Sequence, residues 1–287
     1  MTATWSWKLL KAGSFRLDGG SMFGVVPKVL WSRLVEPDEL NRIPLHANCL
    51  LLEDGEHKVL IETGCGGKWA EKDRQIFAMD GRTILDALRE EDVDPNEITR
   101  VIVTHLHFDH AGGLTHLDAN GNAVSSFPNA KILSQKTEWE DAVAGRSTMS
   151  RTYLRDHLDP VQKQMRLVDG EAEILPGLRV WPLTGHTWGH QVVRFADEAG
   201  TVCFAGDVMP TVHHVGAAFS MGYDMLPHAN MQSKLTLLRQ AAAENWRIAL
   251  DHEPETPVVR VQADPADAGR FALEPVSDPT IASSSDR

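Results

Sequence analysis

The sequence predicts an α/β fold, and three features carry that expectation. Apolar runs of strand length alternate with stretches whose apolar residues recur at helical spacing. A hairpin pattern occurs once in each half of the chain, followed each time by a helix and a further strand. In both halves the strands end in glycine-bearing loops that carry His or Asp.

At 287 residues the chain can bury a sizeable core. Residues 1–273 read as one domain, with an N-terminal arm over 1–44, a helical insertion over 137–168 and a disordered tail over 274–287. The formal net charge of −12 argues against a nucleic-acid partner, because phosphate binding relies on Lys and Arg, and against an anionic membrane surface. The first twenty residues lack the apolar core of a signal peptide, and no apolar run reaches the roughly 18 residues of a membrane span. Cys49, Cys65 and Cys203 are odd in number and scattered, as suits a reducing compartment. A soluble cytoplasmic protein is expected.

In chain order, Phe15 to Asp18 reads as a strand running into the Gly19-Gly20 turn. The apolar stretch from Met22 to Leu34 then either packs on the core, lines a pocket or meets a second subunit, or is a simple edge strand and loop. Asn48 to Leu52 and Lys58 to Glu62 flank the polar turn Glu53-Asp54-Gly55-Glu56-His57, a hairpin signal. Ile84, Leu85 and Leu88 have helical spacing, and Val101-Ile102-Val103 is a buried strand. Lys131 to Ser134 is another strand, and Pro160 to Met165 has helical spacing within the insertion. Leu178 to Leu183 is a strand, and Gln191 to Phe195 with Thr201 to Ala205 makes the second hairpin. A helix from about Met231 to Asn245 precedes the strand Arg247 to Leu250.

Chemistry concentrates at the end of the Val101-Val103 strand, where Thr104-His105-Leu106-His107-Phe108-Asp109-His110 places four metal-capable side chains in six residues. Alternate residues of an extended segment point the same way, so His105 and His107 can reach one ion together. Asp109 and His110 fall where the chain turns and can face a second ion. Such a string arises by chance in roughly two of a thousand chains of this composition, which favours a site over a His-rich surface loop. The glycines Gly112 and Gly113 let the backbone turn tightly afterwards. Three further strand ends offer ligands of the same type: His186, Asp207 and His252.

The order H-x-H-x-D-H, then Gly185-His186-Thr187-Trp188-Gly189-His190, then Gly206-Asp207, then His252 resembles the metallo-β-lactamase superfamily over residues 45 to 255. The resemblance implies a four-layer αβ/βα sandwich with a dinuclear metal site at one edge. It assigns His105, His107 and His186 to one ion and Asp109, His110 and His252 to the other, with Asp207 bridging. One position departs from the superfamily's usual Asp: Glu62, one methylene longer, ends a strand as support for the site or as a partner of nearby loop amides.

Two divalent ions are therefore expected, zinc first, with manganese, iron or cobalt as the other ions such donors accept. Two adjacent dications make hydroxide available near neutral pH, which implies a metal-dependent hydrolase acting on an ester-type bond. Asp109 would orient the nucleophile and carry the proton. Tyr223 is a candidate hydrogen-bond donor to the reacting group, with simple packing as its other reading; His213 and His214 receive no role. The N-terminal arm and Asp207 as bridge are similar to the branch of acyl-homoserine lactonases and organophosphate hydrolases, so a lactone of the acyl-homoserine type is the leading small-molecule substrate, while the bridging Asp and the absence of an export signal argue against a dedicated antibiotic-degrading β-lactamase. Phosphotriesters and thioesters follow; residues 253–287 leave little room for a glutathione-binding helical domain. An iron sulfur dioxygenase, a nuclease and a non-catalytic metal binder are the readings from other classes. A homodimer through the arm is implied by the resemblance.

Overall fold

The computed structural model describes residues 4–146 and 150–277. From the N-terminus, β1 (Ser6–Asp18) leads into two short helices, α1 (Gly19–Phe23) and α2 (Lys28–Trp31), before β2 (Arg42–Glu53) returns antiparallel along β1. β2 and β3 (Lys58–Ile61) form the first expected hairpin. Its turn is held by Asp54, whose carboxylate accepts from the backbone N–H groups of Glu56 and His57. Two helices follow, α3 (Glu71–Phe77) and α4 (Ile84–Glu90). α4 starts at Thr83, which donates its N–H and hydroxyl to the Asp86 carboxylate, and it buries Ile84 and Leu88.

β4 (Ile98–Ile102) lies parallel to β3 and ends in the His-rich loop and the one-turn helix α5 (Phe108–Ala111). A small ribbon of β5 (Thr115–Leu117) and β6 (Ala123–Ser125) precedes β7 (Lys131–Gln135), α6 (Lys136–Ala144), α7 (Arg155–Leu158) and β8 (Met165–Val168). The first sheet has the order β1-β2-β3-β4-β7-β8. The second is built from β9 (Ala172–Leu175), β10 (Leu178–Pro182), β11 (Gln191–Asp197), β12 (Gly200–Phe204), β13 (Arg247–Ala249), β14 (Val258–Asp264) and β15 (Asp267–Pro275). α8 (Pro227–Glu244) crosses over between the parallel pair β12 and β13. It has Pro at its first position and ends at Asn245 in the left-handed conformation.

Three apolar clusters define the layers. Between the sheets, Trp7, Leu50, Leu52, Ile61 and Ile102 meet Val180, Val193, Phe195 and Phe204, with the Trp7 ring edge-on to Phe195. The alternate residues Cys49 and Leu51 face the other way, onto a cluster that includes Ile84 and Leu88 of α4. On the far side, Leu237, Leu238 and Ala241 of α8 cover Val192, Cys203 and Ile248. Helix, sheet, sheet and helix stack in that order, which is the expected four-layer sandwich.

Several expectations shift. The arm over 1–44 divides: β1 is an edge strand of the first sheet, β2 begins at Arg42, and among the described residues 4–5 and 19–41 stand outside the sheet. The insertion over 137–168 is a crossover within that sheet, because Met165–Val168 form β8, parallel to β7. The helix expected over Pro160–Met165 is a 3-10 turn over Asp159–Gln164, since Met165 enters the strand. β15 runs to Pro275 and Val276 donates its N–H to the Val258 carbonyl, so the first residues assigned to the tail belong to the second sheet. The rest of that tail, 278–287, lies outside the described residues. Gly112 has ordinary helical dihedrals; glycine is needed there because a Cβ would sit 2.1 Å from the Cys65 carbonyl oxygen.

Candidate metal centre

Every strand end flagged by the sequence opens at the same edge of the sandwich. β4 delivers His105 and His107, α5 presents Asp109 and His110, the β10–β11 connection carries His186, the turn after β12 carries Asp207, and the residues after β13 carry His252. All seven side chains are buried, Asp109 being the most open at 8% exposure. Asp207 is the meeting point. Its Oδ2 lies 3.0 Å from His186 Nε2, 3.8 Å from His105 Nε2 and 3.8 Å from His110 Nε2, and its Oδ1 lies 3.3 Å from His252 Nε2. His107 Nδ1 is 3.1 Å from His186 Nε2. Donors around one tetrahedral zinc ion stand about 3.4 Å from one another, given its bond lengths of about 2.1 Å.

Two groups emerge in which all donor atoms lie within 4.8 Å of one another: His105, His107, His186 and Asp207, and His110, Asp207, Asp251 and His252. Asp109 approaches the second group, at 3.8 Å from His110 Nε2 and 3.6 Å from His252 Nε2. The inward-facing atoms fit an ion. His105 Nε2, His110 Nε2, His252 Nε2, Asp207 Oδ1 and Asp251 Oδ2 are buried and make no hydrogen bond, a state that is costly for polar atoms unless a ligand completes it. Four of the five histidines have the outward ring nitrogen facing a polar partner, as metal ligands usually do, while His107 Nε2 makes no hydrogen bond. His252 Nδ1 donates to the His46 carbonyl at 2.9 Å, His186 Nδ1 faces Asp224 Oδ1 at 2.9 Å, and His105 Nδ1 faces Thr104 Oγ1 at 3.0 Å. His110 Nδ1 lies 3.5 Å from Glu62 Oε2.

Comparison with known proteins agrees with this geometry. The sequence model of the Metallo-beta-lactamase superfamily matches residues 42–252, from β2 to the last histidine of the site. The chain belongs to that superfamily. It is 27% identical over 213 residues to the N-acyl homoserine lactonase AiiA of Bacillus thuringiensis subsp. kurstaki, covering 70% of this chain and 75% of that protein. A crystal structure of a probable metal-dependent hydrolase from Staphylococcus aureus superposes with a TM-score of 0.86 at 27% identity, over 97% of this chain and 99% of that one. AidC, a dizinc quorum-quenching lactonase in complex with a product, shares the fold at a TM-score of 0.78 and 19% identity, over 97% of this chain and 96% of that one.

Protons and metal ions compete for this superfamily site. In the protein as described, burial lowers the His186 pKa but the Asp207 and Asp224 carboxylates outweigh it and raise it to about 10. His110 rises to about 9, because Asp109, Glu62 and Asp207 overcome its burial. His252 is also raised, by Asp251 and Asp207 against burial. His105 and His107 fall well below their usual value, through burial and the positive charge of neighbouring imidazoles. Asp207 stays ionised despite burial, held down by His186, His252 and His110.

The supporting shell contains residues the sequence reading missed. Asp224 fixes His186 and also accepts from Asn230 Nδ2 and the Met221 N–H. Glu138, fully buried on α6, accepts from the Leu106 N–H at 2.9 Å and from the Gly189 N–H at 3.3 Å, so one carboxyl ties two ligand loops together. Tyr153 donates to the same carboxyl, and its ring packs 5.0 Å from His107. The crossover therefore reaches the site. His190 donates Nδ1–H to the Leu183 carbonyl and accepts the Asp207 N–H at Nε2, which sets the Asp207 turn.

Glu62 does both things its position suggested. Oε1 accepts the Thr104 N–H at 2.6 Å, Oε2 faces His110, and the residue holds the left-handed φ of 65°. Tyr223 is half-buried, and burial followed by the Asp18 and Asp109 charges raises its pKa. His214 stacks on Phe23 and bonds Thr211 and the Met22 carbonyl, a packing role. His213 is partly buried outside the cluster around Asp207.

Proposed function

We propose that this superfamily member is a dinuclear zinc hydrolase that opens lactone rings, with acyl-homoserine lactones as the substrate class. The observation that carries the reading is the pair of donor groups sharing Asp207. The three-histidine set of the first group is of the kind zinc favours. Bound there, a pair of divalent ions supplies Lewis acidity and a water acidified toward neutral pH.

This chain's own residues do the rest. Asp207, common to both donor groups, would hold both ions. Asp109, the most open of the seven, orients the attacking water and passes a proton to the alkoxide released when the ring C–O bond breaks. Beside the ligands, Phe108 packs on Trp69 and Phe77 at 5.1 and 5.3 Å, a partly buried aromatic wall that suits an acyl chain better than a charged leaving group. The lactonase relative supports the same class.

The three cysteines are free and buried, in keeping with a reducing compartment such as the cytoplasm, and among the described residues no helix is long and apolar enough to cross a membrane. Val25 and Leu40, 86% and 69% exposed on the segment between β1 and β2, support a second copy docking there, which light scattering tests.

The functional test is a panel of a small acyl-homoserine lactone, a thioester and a phosphotriester on one zinc-loaded sample. Lactone turnover should dominate kcat/KM. Preference for either other ester moves the substrate class, and one bound iron with no hydrolysis defeats the hydrolase reading in favour of sulfur oxidation.

A further inference from the structure

Asp251 stands outside the ligand set that the motifs supply, yet its carboxyl is turned into the site. It follows β13 between Leu250 and His252 and is 1% exposed. Oδ1 accepts the His252 backbone N–H at 3.1 Å, which fixes the side-chain rotamer. Oδ2 is buried, makes no hydrogen bond and lies 3.7 Å from His252 Nε2. Asp207 Oδ1, in the same group of donors, is equally without a hydrogen bond. The neighbouring amide that might have satisfied Asp251 is committed elsewhere: Asn48 Nδ2 donates to the Leu250 and Glu253 carbonyls. Two buried carboxylate oxygens that make no hydrogen bond, gathered with two imidazoles, form a set that a cation completes.

We propose that Asp251 supplies a further carboxylate to the second metal pocket, holding its ion together with His110, His252 and Asp207, while the more exposed Asp109 meets the same pocket nearer solvent. This rests on the dinuclear reading above. The consequence is a charge difference between pockets: extra anionic oxygen strengthens the second site and favours harder ions such as manganese there more than in the three-histidine site.

The test uses metal-free full-length protein, wild type and Asp251→Asn, titrated with zinc against a chromophoric chelator. Asn keeps an acceptor for the His252 N–H; Asp251→Ser does so too and is read in the same titration if the first variant folds poorly. Wild type should take up two ions. The variant should keep the first ion at its original affinity and bind the second about 10–100-fold more weakly. Its metal-free melting temperature should stay near wild type, since a merely structural role would lower that instead. Unchanged affinity for both ions, or equal weakening of both, overturns the proposal. A wild-type chain that binds fewer than two ions fails the dinuclear reading itself, and this inference with it.

Discussion

The two halves of the site share Asp207 and differ in what surrounds it. The first pocket is nitrogen-rich: His105, His107 and His186 against one carboxylate. The second is oxygen-rich: His110 and His252 with Asp207 and Asp251, and Asp109 at 3.6–3.8 Å from both imidazoles. Their proton affinities follow that charge. His105 and His107 are pushed well below the ordinary histidine value, while His110 and His252 are raised by surrounding carboxylates. His186 is the exception that explains the rule, because it touches both Asp207 and Asp224 and rises to about 10. One donor group is thus dominated by neutral imidazoles and the other by carboxylate charge.

The hardest blow to this arrangement is Asp207→Ala, which removes the donor both pockets use. Metal content measured by mass spectrometry should fall below one ion per chain, and hydrolysis should drop on the order of 10³-fold or more, given what electrostatic stabilisation is worth. Circular dichroism should show the fold retained. Retention of two ions would break the claim that Asp207 is shared.

Single-pocket variants separate the halves. His107→Ala should lose the first ion and His252→Ala the second, each leaving about one ion per chain in the same assay. If both variants lose both ions equally, the pockets are one cooperative unit and the contrast between them is empty.

Asp224→Asn weakens the comparison more gently. It removes the carboxylate behind His186 while keeping an acceptor, and first-pocket affinity should fall about 10–100-fold in chelator competition. The second pocket should hold its ion as before.

Acid acts in a direction the raised histidines fix. Their folded values, about 9 for His110 and about 10 for His186, exceed the unfolded value of 6.5. In metal-free protein their stabilisation is fully present below pH 6.5 and is lost as pH rises through 9 to 10. Metal binding must displace those protons, so calorimetry in buffers of different ionisation enthalpy should show proton release on zinc uptake at pH 7, and weaker zinc binding as pH falls. Zinc uptake without proton release would contradict the assigned charge states.

The smallest effect expected is at Tyr223. Tyr223 packs against the apolar cluster beneath the first sheet, and Tyr223→Phe should change kcat for lactone opening less than about tenfold. A loss beyond a hundredfold would restore the donor role that the sequence suggested.

Much of the frame was legible because each ligand ends an apolar strand. The runs before His105, Asp207 and His252 are short, apolar, bounded and buried on both faces, and the run before His186 opens with alternating burial, so each reads as a strand. Asp251 carried the same sign, an acid closing an apolar run, but the sequence reading gave a role only to its neighbour His252. Asp224 and Glu138 gave no such sign: they reach the site through folding across 38 and 32 residues, from a loop and from a helix within the expected insertion. β8 was misread because Pro160 to Met165 imitates a helical period over less than two turns, and α3 buries no side chain, so it leaves no stripe to find. β14 and β15 went unread as an antiparallel pair at the outer edge of their sheet, where exposed positions blur the alternation.

The most direct measurement is metal content per chain on protein purified without added metal and then reloaded, with lactone hydrolysis followed through chelation and readdition. Two ions per chain, with turnover lost on chelation and restored by zinc, is the predicted result. A single ion that supports full turnover, or turnover that survives chelation, would contradict it.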